Sequence, residues 1–87
     1  MREKTAAIVV NYNDSETTVA QLRRIQDYAA LDAVIVVDNA STDYSLEALR
    51  AEEGGKVTVL AAEKNGGYGA GNNLGIRYAA ARGYTYA

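Results

Sequence analysis

Cysteine and histidine are both missing from the 87 residues of this chain. Disulfide bonds, zinc centres built on thiolate or imidazole, and histidine-based acid–base catalysis are therefore excluded within it. No apolar run approaches the ~20 residues needed to cross a bilayer. The opening Met1-Arg2-Glu3-Lys4 has no apolar stretch of signal-peptide length behind it. Basic residues are few and scattered, 9 against 11 acidic for a net charge of -2, so neither a phosphate-tracking stripe nor a membrane-binding patch is present. Nucleic acid is not an expected partner. The lack of cysteine fits a reducing compartment, and a cytoplasmic location is expected, with peripheral attachment at the inner face of a membrane left open. A chain this short makes one domain at most.

What is there is a succession of short β-branched runs, each ending in polar loop residues. Ala6–Val10 runs into Asn11-Tyr12-Asn13, Ala33–Val37 into Asp38-Asn39-Ala40-Ser41-Thr42-Asp43, and Val57–Leu60 towards Asn65-Gly66-Gly67-Tyr68. Between them lie helical patterns. The first begins near Asp14-Ser15, both good capping types, with Val19, Leu22, Ile25 and Ala29 at helical spacing. A short second helix, capped by Asp43 or Ser45, carries Leu46 and Leu49 and stops at Gly54-Gly55. The third spans about Gly69 to Arg82, with Ala70, Leu74, Tyr78 and Ala81 on one face, and a fourth strand begins at Tyr84. Strand and helix alternating in this way predict an α/β fold with a parallel sheet covered by helices on both faces. The pattern stops in mid-unit, which reads as part of a larger domain.

Open sheets of this kind bind ligands beyond the carboxyl ends of their strands, where all three loops converge. Asp38, ending the second strand, suits hydrogen bonds from a ribose or a base edge, or else it organises its own turn. Asp43 has a sufficient role as a helix cap, with a ligand role as the alternative. Asn11, Tyr12 and Asn13 offer two amides and a ring for a base or sugar; the plainer reading has Asn13 and Asp14 capping the first helix and Tyr12 packed. The glycines from Gly66 to Gly75 permit close backbone approach at a helix start, yet their spacing is not a dinucleotide fingerprint and no phosphate-loop lysine is present. Gly75, inside the helix, is read as a close-packing position.

Together, Ile8-Val-Val-Asn-Tyr-Asn13, Val34-Ile-Val-Val-Asp-Asn-Ala-Ser-Thr-Asp43 and Asn65-Gly-Gly-Tyr-Gly-Ala-Gly-Asn-Asn-Leu-Gly-Ile76 resemble the start of a family 2 glycosyltransferase of GT-A fold, the third motif being closest to rhamnosyltransferase-like members. The resemblance implies a three-layer α/β/α unit with a Rossmann-like sheet in the order 3-2-1, beside it a truncated fourth strand. Residues 1–87 would form the nucleotide-sugar-binding half of a catalytic domain. It also implies that Asn11, Tyr12 and Asn13 contact the nucleotide, that Asp38 holds the base with Asn39 and Ser41 beside it, and that Asn65, Gly66, Gly67 and Tyr68 close over the donor. That donor would be dTDP-rhamnose or a UDP-sugar, transferred with inversion to a glycan or lipid-linked acceptor. Magnesium or manganese would serve the full-length enzyme through ligands beyond this chain, as would the catalytic base, so this portion alone is expected to be inactive and to self-associate. The competing expectations are a nucleotide-binding domain of an oxidoreductase or methyltransferase, which would want glycines after the first strand, and a non-catalytic binding module.

Overall fold

The computed structural model describes residues 4–64 and 66–86. Its order is β1 (Thr5–Asn11), α1 (Ser15–Ile25), β2 (Ala33–Asp38), α2 (Ser45–Arg50), β3 (Val57–Ala61), α3 (Tyr68–Ala81) and β4 (Thr85–Tyr86). The strands form a parallel sheet in the order β3-β2-β1-β4, the expected α/β arrangement. β1 lies in register with β2 from Ala6 opposite Ala33 to Asn11 opposite Asp38, so the two site-bearing strand ends finish side by side.

Strand alternation divides the core into two layers. Val9, Val34, Val36, Val57 and Val59 meet Leu22 of α1 and Leu49 of α2 on one face; Ile8 and Ile35 meet Ala79 of α3 on the other. All six residues of β2 are buried, as a central strand covered on both sides requires. Among the described residues, no helix is long and apolar enough to cross a membrane.

Three local expectations are corrected. α1 ends at Ile25 and does not reach Ala29; Lys56 Nζ holds the turn that follows by donating to the carbonyls of Tyr28 and Leu31, 2.9 and 2.8 Å away. α2 ends at Arg50, ahead of Gly54-Gly55; beyond it the chain tightens, the Glu52 and Glu53 N–H groups donating to the Leu49 and Arg50 carbonyls at 2.9 and 3.1 Å, and the Glu53 carboxylate accepts from the Val59 N–H at 3.0 Å. The two glycines instead take positive φ in the turn into β3. Finally, α3 is rotated by about one position from the expected face. Its buried stripe is Gly71, Gly75 and Ala79, while Ala70 and Ala81 are exposed and Leu74 and Tyr78 only half-buried.

That stripe explains how closely α3 rests on the sheet. A Cβ at Gly75 would lie 2.6 Å from Ile8 Cγ2 and 3.2 Å from Val37 Cγ2; one at Gly71 would lie 3.0 Å from Val10 Cγ1. Gly75 is thus the close-packing position its place in the helix suggested. Helix backbone lies directly on branched side chains, and this sets the height of the loop that precedes α3.

Candidate functional site

Parallel strands in matched register deliver the loops after β1, β2 and β3 to one rim. Side chains sew the first two together. Asn11 Nδ2 donates to Asp38 Oδ1 at 3.0 Å, and Asn11 Oδ1 accepts from Thr18 Oγ1 at 2.7 Å. Ser41 Oγ donates to the same Asp38 oxygen at 2.6 Å, while its backbone N–H reaches Asp38 Oδ2 at 3.2 Å. Asn11 and Asp38 are only 1% and 2% exposed. Their polar groups are therefore satisfied inside the protein, as burial demands, and the carboxylate lies beneath the rim with Ser41 over it.

Above this buried layer is an exposed one. Asn13, at φ 50, turns its amide away from α1 and across to the second loop. Its Nδ2 donates to Thr42 Oγ1 at 3.1 Å, and its Oδ1 accepts from the N–H groups of Thr42 and Asp43 at 2.8 and 3.3 Å. The expectation that Asn13 and Asp14 cap α1 is corrected accordingly: Asp14 makes no side-chain capping bond, because the chain entering α1 is held by this cross-loop clasp. Tyr12 is not buried either, and stands 45% exposed on the rim.

The third loop joins through Asn39, whose Nδ2 donates to the Gly67 carbonyl at 3.0 Å. Gly67 sits at φ 89, a conformation that favours glycine. Asn11, Tyr12, Asn13, Asp38, Asn39, Ser41, Gly66 and Gly67 thus come together at one end of the sheet; Tyr68 opens α3 just behind Gly67, and Asn65 lies outside the described residues. Two participants, Thr18 and Thr42, were not anticipated. Thr42 lay inside the quoted motif, but nothing in a linear pattern marks Thr18, seven residues beyond Asn11, as its partner.

Asp43 accepts from the Ser45 N–H at its Oδ1, 2.8 Å away, closing a turn just ahead of α2; the N-cap position itself is Tyr44, so the expectation that Asp43 or Ser45 caps the helix is corrected. Hydrogen bonding from Ser45 holds the Asp43 carboxyl below the usual carboxylate range. Glu52 is held low in the same way by Arg23, which grips it through two contacts of 2.9 and 3.1 Å and ties α1 to α2. For groups whose folded-state pKa is depressed, the stabilisation is complete above the unfolded pKa and disappears as the pH falls through the folded one. Stability is therefore expected to decline below about pH 4. Denaturant titrations across the acid range should give a shallower decline for Asp43→Asn and Glu52→Gln; an unaltered profile in both would refute the assignment.

Among the described residues no group of three or more acidic, cysteine or histidine side chains converges to hold a metal ion. A shallow groove of about 340 Å³, lined by Ala70, Asn73, Ile76 and Arg77, follows the outer side of α3 and is not formed by the rim loops.

A family model described as glycosyl transferase family 2 matches residues 6–86. No curated protein sequence matches the chain. Among solved structures, a mannosyltransferase, PcManGT from Pyrobaculum calidifontis, in complex with GDP-Man and Mn2+, superposes with a TM-score of 0.78 at 28% identity over 91% of this chain. This chain spans 25% of the length of that structure, and the likeness extends to its GT-A-type sheet.

Proposed function

Because the chain belongs to glycosyl transferase family 2, we propose that its rim binds the nucleotide part of a nucleotide-sugar donor. The observation that carries this reading is the lacing of three strand-end loops into one surface. A buried Asn11–Asp38–Ser41 layer carries an exposed Tyr12–Asn13–Thr42 layer, with Gly67 tied in by Asn39. In the proposal Tyr12 packs on the base, the Asn13 clasp and the Gly66-Gly67 backbone face ribose and phosphate, and Asn65 and Tyr68 complete the third loop. Asp38 with Asn39 and Ser41 holds the loops to shape; the carboxylate meets the ligand itself only where Ser41 yields its place.

Residues 1–87 form the nucleotide-sugar-binding unit of a catalytic domain in this reading, and the whole enzyme transfers the sugar with inversion to a glycan or lipid-linked acceptor. The motif likeness favours dTDP-rhamnose or a UDP-sugar as donor, whereas the superposed mannosyltransferase holds GDP-Man. That mannosyltransferase also holds Mn2+, which supports a divalent cation for the whole enzyme. The described residues offer it no converging ligand set. A cytoplasmic setting, with peripheral membrane attachment open, belongs to the same proposal.

Calorimetric titration with UDP, dTDP and GDP is the test. Weak binding of at least one nucleotide is expected, without sugar transfer by the 87-residue chain. Tyr12→Ala should weaken it by about tenfold, the scale of one base–aromatic stack. Equal affinity in Tyr12→Ala and Asn13→Ala would take the nucleotide off this rim, and measurable transfer would overturn the claim that the unit binds without catalysing.

A further inference from the structure

The hydroxyl proton of Thr18 leaves its own helix. A helical threonine commonly donates to the carbonyl three or four residues back. Thr18 Oγ1 donates instead to Asn11 Oδ1 at 2.7 Å, and a hydroxyl has a single proton to give. The Thr18 backbone N–H keeps its helical bond to Asp14 O at 3.1 Å, so the turn itself is intact. The residue is 6% exposed and shares the buried face of α1 with Leu22, whereas Thr17 beside it is exposed.

The receiving amide has demands at both ends. Asp38 can only accept from Asn11, so it selects the Nδ2 end, 3.0 Å from its Oδ1. The other end, Oδ1, belongs to a residue 1% exposed and is supplied by Thr18. Without that proton a buried acceptor would be left unpaired, which favours turning the amide out towards water and away from Asp38. Asn11 Nδ2 also lies 3.4 Å from Ser41 Oγ, which donates to Asp38 and accepts from the Asn13 N–H at 2.9 Å. A connected path therefore runs from α1, through the buried layer, to the exposed Asn13 clasp.

We infer that Thr18 is a positioning residue of the nucleotide site: its hydroxyl pins the Asn11 amide and, through it, the Asp38–Ser41 pair on which the Asn13 clasp rests. This role rests on the nucleotide-binding reading of the rim, and Thr18 acts through Asn11, not on the ligand. The two parts of its side chain can be separated. Thr18→Val keeps the shape without the proton, and Thr18→Ser keeps the proton without the methyl. A residue that only packs is damaged more by serine than by valine. A positioning residue shows the reverse order at the rim.

Calorimetry with UDP, dTDP and GDP, alongside magnetic resonance of the Asn11 side-chain NH2, is the test. In the unaltered chain that NH2 should be protected from solvent exchange. Thr18→Val should weaken nucleotide binding about tenfold, the scale of one buried hydrogen bond, and speed exchange of the Asn11 NH2 by a similar factor. Thr18→Ser should keep both within about twofold of the unaltered chain, although its urea midpoint falls, and Thr17→Val should change neither. Parental affinity with a protected Asn11 NH2 in Thr18→Val, or a loss in Thr18→Ser as large as in Thr18→Val, would overturn the assignment. So would rapid exchange of the Asn11 NH2 in the unaltered chain, a measurement that stands even if Thr18→Val fails to fold. Should no nucleotide bind the unaltered chain, the rim reading fails, and the Asn11 NH2 signals still decide whether Thr18 holds the amide.

Discussion

Gly75→Val is expected to lower the stability of the domain by about 3 kcal/mol, the upper end of what overpacked cores cost. The first added carbon would already sit 2.6 Å from Ile8 Cγ2 and 3.2 Å from Val37 Cγ2, and neither neighbour has a flexible end to move. Gly75→Ala separates two opposing effects. Replacing a helical glycine by alanine gains about 1 kcal/mol of propensity, while the same contact costs about 1–3 kcal/mol; net destabilisation near 1 kcal/mol is the expected sum. Gly69→Ala in the first turn of α3 has open space around the new methyl and should be stabilising by about 0.5–1 kcal/mol. Ile8→Leu moves the branch away from the β carbon and should recover part of the loss in the Gly75→Ala background. Urea denaturation of the four variants decides it. Gly75→Ala as stable as Gly69→Ala would mean that α3 does not rest on β1 as described.

Asp38→Ala should be nearly as damaging, and at the rim. It removes the acceptor for Asn11 Nδ2, for Ser41 Oγ and for Ser41 N together. Leaving buried donors unpaired costs roughly 1–3 kcal/mol for each group fully cut off, and Asn11 keeps Ser41 Oγ at 3.4 Å as a weak second partner. A loss of about 3 kcal/mol is therefore expected. Asp38→Asn preserves the shape and one acceptor, so it should lose about half as much. Nucleotide titrations on both variants, run where each is fully folded, should give affinities at least tenfold below the parent chain, equivalent to about 1.4 kcal/mol. Full affinity in a folded Asp38→Ala would show that the acid and the loops it ties are irrelevant to binding.

These effects indicate what could be read from residue order and what could not. Strand runs and helix positions were legible because β-branched blocks and helical spacing are local signals, the strand order was implied by the family resemblance alone, and the Asp43 turn into α2 is a short-range bond of known geometry. The rim was legible as a place, since every strand of a parallel sheet ends there. The division of labour within it was not. Asn11 and Asp38 look like exposed ligand-binding loop groups in a linear reading, yet the matched register of β1 and β2 sets them against each other and buries both. Thr18 enters only because the first turn of α1 passes above Asn11. The buried stripe of α3 was misplaced for a related reason. Glycines carry no hydrophobic signal, so a pattern search follows Leu74 and Tyr78, whereas the closest packing falls on the positions with nothing to pack.

The seat of α3 also bears on how the third loop moves. Ile8, Val10 and Val37 are branched at Cβ, and residues of that kind are stiff about χ1; Gly71 and Gly75 contribute no torsions at all. The helix thus rests on a seat in which neither partner readily changes rotamer to absorb a tilt. Motion of Gly66-Gly67 relative to β1 and β2 must then come from bending within the loop, not from rocking of the helix behind it. Backbone relaxation should accordingly find α3 as rigid as β2 up to its first turn, with any nanosecond amplitude confined to the residues ahead of Tyr68.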